Sequence, residues 1–146
     1  MNIHEIENAK VSEVTRTLMF NTIWNRMPRK SFVSALWLRV YDKTPLWQNC
    51  FYHVLHADKH PCFRYYFGNI ILVSPGERGL LLEGTEEERI QYALDMEERS
   101  RGASTANWQA AKDLEADLLV LYKKHFPVTK GFIVGYKYSL QEQQHV

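Results

Sequence analysis

The run Asn69-Ile70-Ile71-Leu72-Val73-Ser74-Pro75-Gly76-Glu77 constrains this chain more than any other. Four consecutive aliphatic residues bounded by turn formers read as a short, buried strand. A helix must start at once after it. Ser74 caps it, Pro75 sits at a first position that needs no N–H, and Glu77 at the third reaches back to the cap. Gly84 closes this helix. Upstream, Trp47 to Leu55 reads as an extended segment that can pair with the strand, with Phe51 and Val54 directed inward and His53 near its end. The stretch Cys50–Gly84 also holds three of the six histidines and both cysteines. Its order is His53, sixteen positions to Asn69, a strand, then a helix.

The flanks read as mostly helical. Residues 1 to 10 are polar and expected to fray. A helix is expected from Ser12, with Val14, Leu18, Ile23 and Trp24 near one face and Pro28 as its end. Phe32 to Tyr41, rich in aromatic and β-branched residues, reads as one strand or a hairpin, followed by a turn at Asp42-Lys43-Thr44-Pro45. Thr85 with Glu86-Glu87-Glu88 opens a second C-terminal helix whose apolar side is Tyr92, Ala93 and Met96. Thr105 to Phe126 keeps helical spacing through Trp108, Ala111, Leu118, Leu119 and Tyr122, and Pro127 stops it. Gly131 to Tyr138 reads as a last strand. The four tryptophans each sit in an apolar pattern and are assigned to the core.

A chain of 146 residues with 45% apolar and 24% charged residues suits one globular domain with a real core. The expectation is an α/β (α+β) domain over 1–146, with a core at 47–84, a helical part at 85–126 and a tail at 127–146. The first residues lack the basic start and apolar run of a secretion signal, and no stretch reaches the ~20 apolar residues of a membrane span. A cytoplasmic protein with reduced cysteines and no membrane partner is therefore expected.

The net charge of +1 conceals a split. Residues 10–64 carry nine Lys/Arg against three acids, a surplus of six, whereas residues 75–118 carry five against eleven, a deficit of six. The basic half attracts phosphate backbone, or else simply complements the acidic face of the helices. Arg26, Arg29, Lys30, Lys59 and Arg64 are the candidate nucleic-acid contacts. Phe63, Tyr65, Tyr66 and Phe67, beside Arg64, suit either base stacking or core packing.

His53 is the candidate general base and Asn69 the candidate brace for the loop between them. Cleavage of a phosphodiester would also need a divalent ion held by two or more side chains. His56 and Glu77 are the candidate ligands, whereas Tyr52 is neutral near pH 7 and Arg78 keeps its positive charge. A separate zinc reading joins Cys50, His53, His60 and Cys62, although the His-x-Cys pair is unlike the usual zinc knuckles.

These residues fall into a recognisable pattern. Trp24-Asn25-Arg26-Met27-Pro28, Val33-Ser34-Ala35, Phe51-Tyr52-His53-Val54-Leu55, Pro61-Cys62-Phe63-Arg64, Asn69-Ile70-Ile71-Leu72, Glu77-Arg78-Gly79-Leu80 and Gly84-Thr85-Glu86-Glu87-Glu88-Arg89 follow one another over roughly residues 20 to 125. The chain resembles the HNH endonucleases, in particular the type common in phages of gut bacteria. There the second segment reads Val-Ser-Gly, a Lys-Gly-x-Tyr loop stands where this chain has Ala57-Asp58-Lys59-His60, and a ligand His stands where it has Arg78. The resemblance implies a β-β-α metal finger in a phage-infected bacterial host. Because the ligand positions depart, it implies a finger that has lost its catalytic metal and binds DNA or a host or phage protein. The alternative is an active DNA endonuclease with altered ligands, using magnesium, manganese or zinc.

Overall fold

Phe51–His53 (β1) and Ile70–Leu72 (β2) pair antiparallel in the computed structural model, which describes residues 3–40, 44–60 and 63–125. Phe51 lies opposite Leu72, Tyr52 opposite Ile71 and His53 opposite Ile70. Hydrogen bonds from Val54 N–H to the Asn69 carbonyl and from Val73 N–H to the Cys50 carbonyl, both 2.9 Å, extend the ladder at each end. Among the described residues four helices accompany this ribbon: α1 (Ile3–Arg26), α2 (Pro75–Glu83), α3 (Glu86–Arg99) and α4 (Trp108–His125). The chain is thus of mixed α+β class.

A two-stranded ribbon is marginal in water and must be covered. Side chains alternate across it, so each face acquires its own core. Phe51, Ile70 and Leu72 face α1, where Met19, Phe20, Ile23 and Trp24 join Trp47 and Cys50. Phe20 stacks on Phe51 at 4.1 Å, and Trp47 meets Phe51 edge-on at 5.0 Å. Tyr52, Ile71 and Val73 face the other way, toward Phe63, Tyr66, Ala106 and Leu118, with Tyr92 of α3 and Trp108 of α4 packed around them. Burial on both faces is why β2 needs aliphatic residues without alternation.

The helix starts are local chemistry. Ser74 accepts from Glu77 N–H while the Glu77 carboxylate accepts from Ser74 N–H, and Thr85 with Glu88 repeats this box at α3. Arg89 donates to the Gly84 carbonyl at 2.6 Å and to the Leu80 carbonyl at 3.2 Å, satisfying the end of α2 from the next helix. A side chain on Gly84 would come within 2.6 Å of that Leu80 oxygen. The Gly-Thr-x-x-x-Arg segment is therefore a helix-to-helix joint.

Several expectations are corrected. The first helix begins at Ile3, so the described part of residues 1 to 10 is helical. Among its residues with described side chains, Met19, Phe20, Ile23 and Trp24 are buried while Leu18 is exposed, because the β1 ring cluster fixes which face turns inward. Phe32 to Val40 forms no strand. It is a narrow hairpin-like loop with a single bridge, Lys30 to Trp37, closed by Ser31 N–H to the Leu36 carbonyl and Leu38 N–H to the Arg29 carbonyl. Trp37 is 63% exposed, whereas the other three tryptophans pack into the two cores. Trp47–Cys50 and Phe67–Asn69 are 3-10 turns. Asn107, not Thr105, starts α4: its side-chain oxygen accepts from Ala110 N–H. The expected turn residues Asp42 and Lys43, Cys62 and the strand Gly131–Tyr138 lie outside the described residues. Among the described residues no helix is long and apolar enough to cross a membrane.

Candidate functional site

The site is built on the end of β1. His53 is the last residue of that strand, and the chain then loops out and returns at Asn69, one residue before β2. Asn69 is fully buried and ties the two ends of this loop together. Its side-chain oxygen accepts from Leu55 N–H at 2.7 Å, and its amide nitrogen donates to the carbonyls of Leu55 at 2.9 Å and Phe63 at 3.3 Å. Only an amide of this length offers an acceptor and two donors there. Asn69 thus holds loop geometry.

His53 Nε2 lies 3.0 Å from the Arg64 carbonyl. A carbonyl only accepts, so Nε2 carries the proton and Nδ1 keeps the lone pair. The ring is mostly covered, with Phe20 of α1 at 6.3 Å. Burial holds the imidazole below its ordinary 6.5, the Arg64 carbonyl offsets part of this, and the guanidiniums of Arg64, Arg16 and Arg78 depress it further. His53 is accordingly neutral at pH 7.

The expected ligands go elsewhere. Glu77 is 1% exposed, and three donors share its carboxylate: Ser31 Oγ at 2.6 Å, Ser74 N–H at 2.8 Å and Tyr92 Oη at 3.0 Å. The capping box dictates this, because a third-position Glu that reaches back to the cap is directed at the helix start. Burial, followed by the Glu77 charge, pushes the Tyr92 phenol up to about 12. His56 is exposed and pairs with Tyr52, Nε2 to Oη at 3.3 Å. Arg78 takes a different position again, donating from Nε to the Phe51 carbonyl of β1 at 3.2 Å. Among the described residues, no group of three His, Cys, Asp or Glu gathers as a metal set. The donors present do not fit a divalent cation.

Of the four residues of the zinc reading, Cys62 lies outside the described residues, and Cys50, His53 and His60 do not gather as a metal set. The Cys50 thiol is buried beside Trp47 and Phe51, faces the Leu46 carbonyl at 3.8 Å, and is pushed up by burial to about 11.

No family model, curated protein or solved structure matches the chain. Arg26, Arg29, Lys30 and Lys59 are exposed and Arg64 is half-buried. Arg29 lies 4.9 Å over the Trp24 ring, and Lys30 lies 4.7 Å over the exposed Trp37. Phe63 and Tyr66, by contrast, are fully buried, which assigns them to the core rather than to base stacking. On the opposite face of β1 from His53, a cleft of about 160 Å³ opens beside Tyr52, Arg89, Trp108, Lys112 and Glu115.

Sequence reasoning missed Ser31, Tyr92 and Arg16. Ser31 and Tyr92 reach Glu77 from 46 and 15 positions away, and no local pattern announces such partners. Arg16 had a signal, since it stands one turn before Phe20 on α1.

Proposed function

We propose that this protein is an HNH-type β-β-α finger that binds nucleic acid without cutting it. The observation that carries this reading is Arg78. Where a ligand would turn toward the His53 pocket, a permanent cation lies against the carbonyl of β1. The adjacent carboxylate, Glu77, is committed to Ser31, Ser74 and Tyr92. The strand–loop–strand–helix order, with His53 at one strand end and Asn69 bracing the loop, supports the finger scaffold. The exposed Arg26, Arg29, Lys30 and Lys59, with Trp37 beside Lys30, support contact with a phosphate backbone and an unstacked base. The working compartment under this reading is the cytoplasm of a phage-infected bacterium.

One observation favours the second reading, an active endonuclease. His53 is neutral, with its tautomer set so that Nδ1 can take a proton. Plasmid nicking with magnesium, manganese or zinc, run beside binding to DNA at increasing salt, separates the two. Salt-dependent binding with an intact plasmid is the expected result. Metal-dependent nicking that disappears in His53→Ala would overturn it. Absence of DNA binding even at low salt would remove nucleic acid and leave a host or phage protein as the partner.

A further inference from the structure

The cleft on the face of β1 turned away from His53 encloses about 160 Å³. Tyr52 and Val54, both buried, form its inner wall, and the half-buried Trp108 of α4 lines it as well. Hydrogen bonds fix both rings. Trp108 Nε1–H donates to the Arg89 carbonyl at 2.8 Å, and Tyr52 Oη pairs with His56 at 3.3 Å. Three charged side chains line the same space. Arg89 is tethered through Nη1 to the Gly84 and Leu80 carbonyls, so its cation is held in place. Lys112 and Glu115 are exposed, and among the described residues neither side chain has a hydrogen bond or an ion pair. They stand three apart on α4 and so are neighbours on one face, with about 5–6 Å between their Cβ atoms. Size limits what can enter. A cavity of roughly 150 Å³ holds one benzene ring, whereas drug-sized ligands occupy about 300 Å³ or more. The cleft admits a body no larger than a single side chain.

We propose that this cleft binds a free α-amino acid with an apolar side chain, its ammonium on Glu115, its carboxylate on Lys112 and Arg89, and its side chain against Tyr52, Val54 and Trp108. The two charges of such a zwitterion sit on adjacent atoms of one small ligand, and two neighbouring side chains of opposite sign can meet both at once. Charge-assisted hydrogen bonds at each end fix its orientation. The wall behind is apolar, so a polar side chain would lose its water there without gaining a partner. The site lies apart from His53 and does not depend on the nucleic-acid reading.

The test titrates the full chain with L-leucine and L-phenylalanine and follows the indole N–H signal of Trp108 by NMR. Phenylalanine amide, which lacks the carboxylate, and N-acetylphenylalanine, which lacks the ammonium, are the comparison probes. The expected result is a saturable shift with one or both amino acids and binding about tenfold weaker for each derivative. Glu115→Gln and Lys112→Gln should each weaken amino-acid binding about tenfold as well. Both side chains are exposed and without partners among the described residues, so these variants leave the fold intact. Glu115→Gln should also bind N-acetylphenylalanine no worse than the parent chain does, since that probe has no ammonium to lose. Asp117→Asn, exposed on the same helix but not lining the cleft, should change nothing. A Trp108 signal unmoved by both amino acids would overturn the site. Equal binding of either derivative, or unchanged binding in Glu115→Gln and Lys112→Gln, would overturn it too, leaving a cleft that takes an apolar body or a peptide terminus without reading both charges.

Discussion

At Ala35 the backbone adopts a φ of 62°, in the left-handed region that L residues enter only at a cost. The position is fixed by its surroundings. Ala35 N–H donates to the Ser31 carbonyl, while Ser31 Oγ accepts from the N–H groups of Val33 and Ser34 and donates to Glu77. Ala35→Gly should therefore stabilise the fold, by about 0.5–1 kcal/mol after the added freedom of the unfolded chain is subtracted. Urea unfolding checks this: a lower midpoint would mean that the loop does not hold this conformation. Asn69 shows the same local logic without strain, since one amide satisfies three backbone groups that would otherwise be buried without partners.

Among the elements, α2 is the joint of the molecule. Its N-terminal box is closed by Glu77, whose carboxylate also receives Ser31 from the loop after α1 and Tyr92 from α3. Its C-terminus is capped by Arg89. One buried acid thus links three segments that share no local contact. Glu77→Ala should cost about 3 kcal/mol, because the three donors lose a charged acceptor. In Glu77→Gln the Tyr92 phenol should fall from about 12 only part of the way toward its ordinary value, since burial is the larger cause of its shift. Ultraviolet titration of the tyrosines reads this directly. An unchanged titration would mean that Glu77 and Tyr92 are not in contact.

For the whole molecule, the ribbon between two aromatic cores sets how stability depends on pH. His53 binds its proton less readily folded than unfolded. The unfolded chain therefore takes up the proton first as pH falls, and stability rises with pH across this window. Above the ordinary value of 6.5 the contribution is constant. Below it, stability should decline until the pH passes the lower folded value. His53→Gln should flatten this limb of a pH–stability curve measured by denaturant midpoint. An identical decline in the variant would assign it to other groups.

How much of this was written locally follows from where each interaction closes. The capping boxes of α2 and α3, the β2 strand and the His53–Asn69 order were legible because their determinants lie within a few residues of one another. Hairpin and strand looked alike over Phe32–Val40, because β propensity reports a half-buried surface, and this segment touches β2 through only the Phe32 N–H bond to the Leu72 carbonyl among the described residues. The tertiary structure alone decided the rest. It turned Glu77 inward, set Arg78 on β1 and exposed Trp37, since each depends on surfaces that meet only when α1, the ribbon and α2 close on one another. Sequence by itself determined the starts of α2 and α3 and the buried strand β2. Packing determined what their charges face, because electrostatic partners are chosen by distance in space and not by separation along the chain.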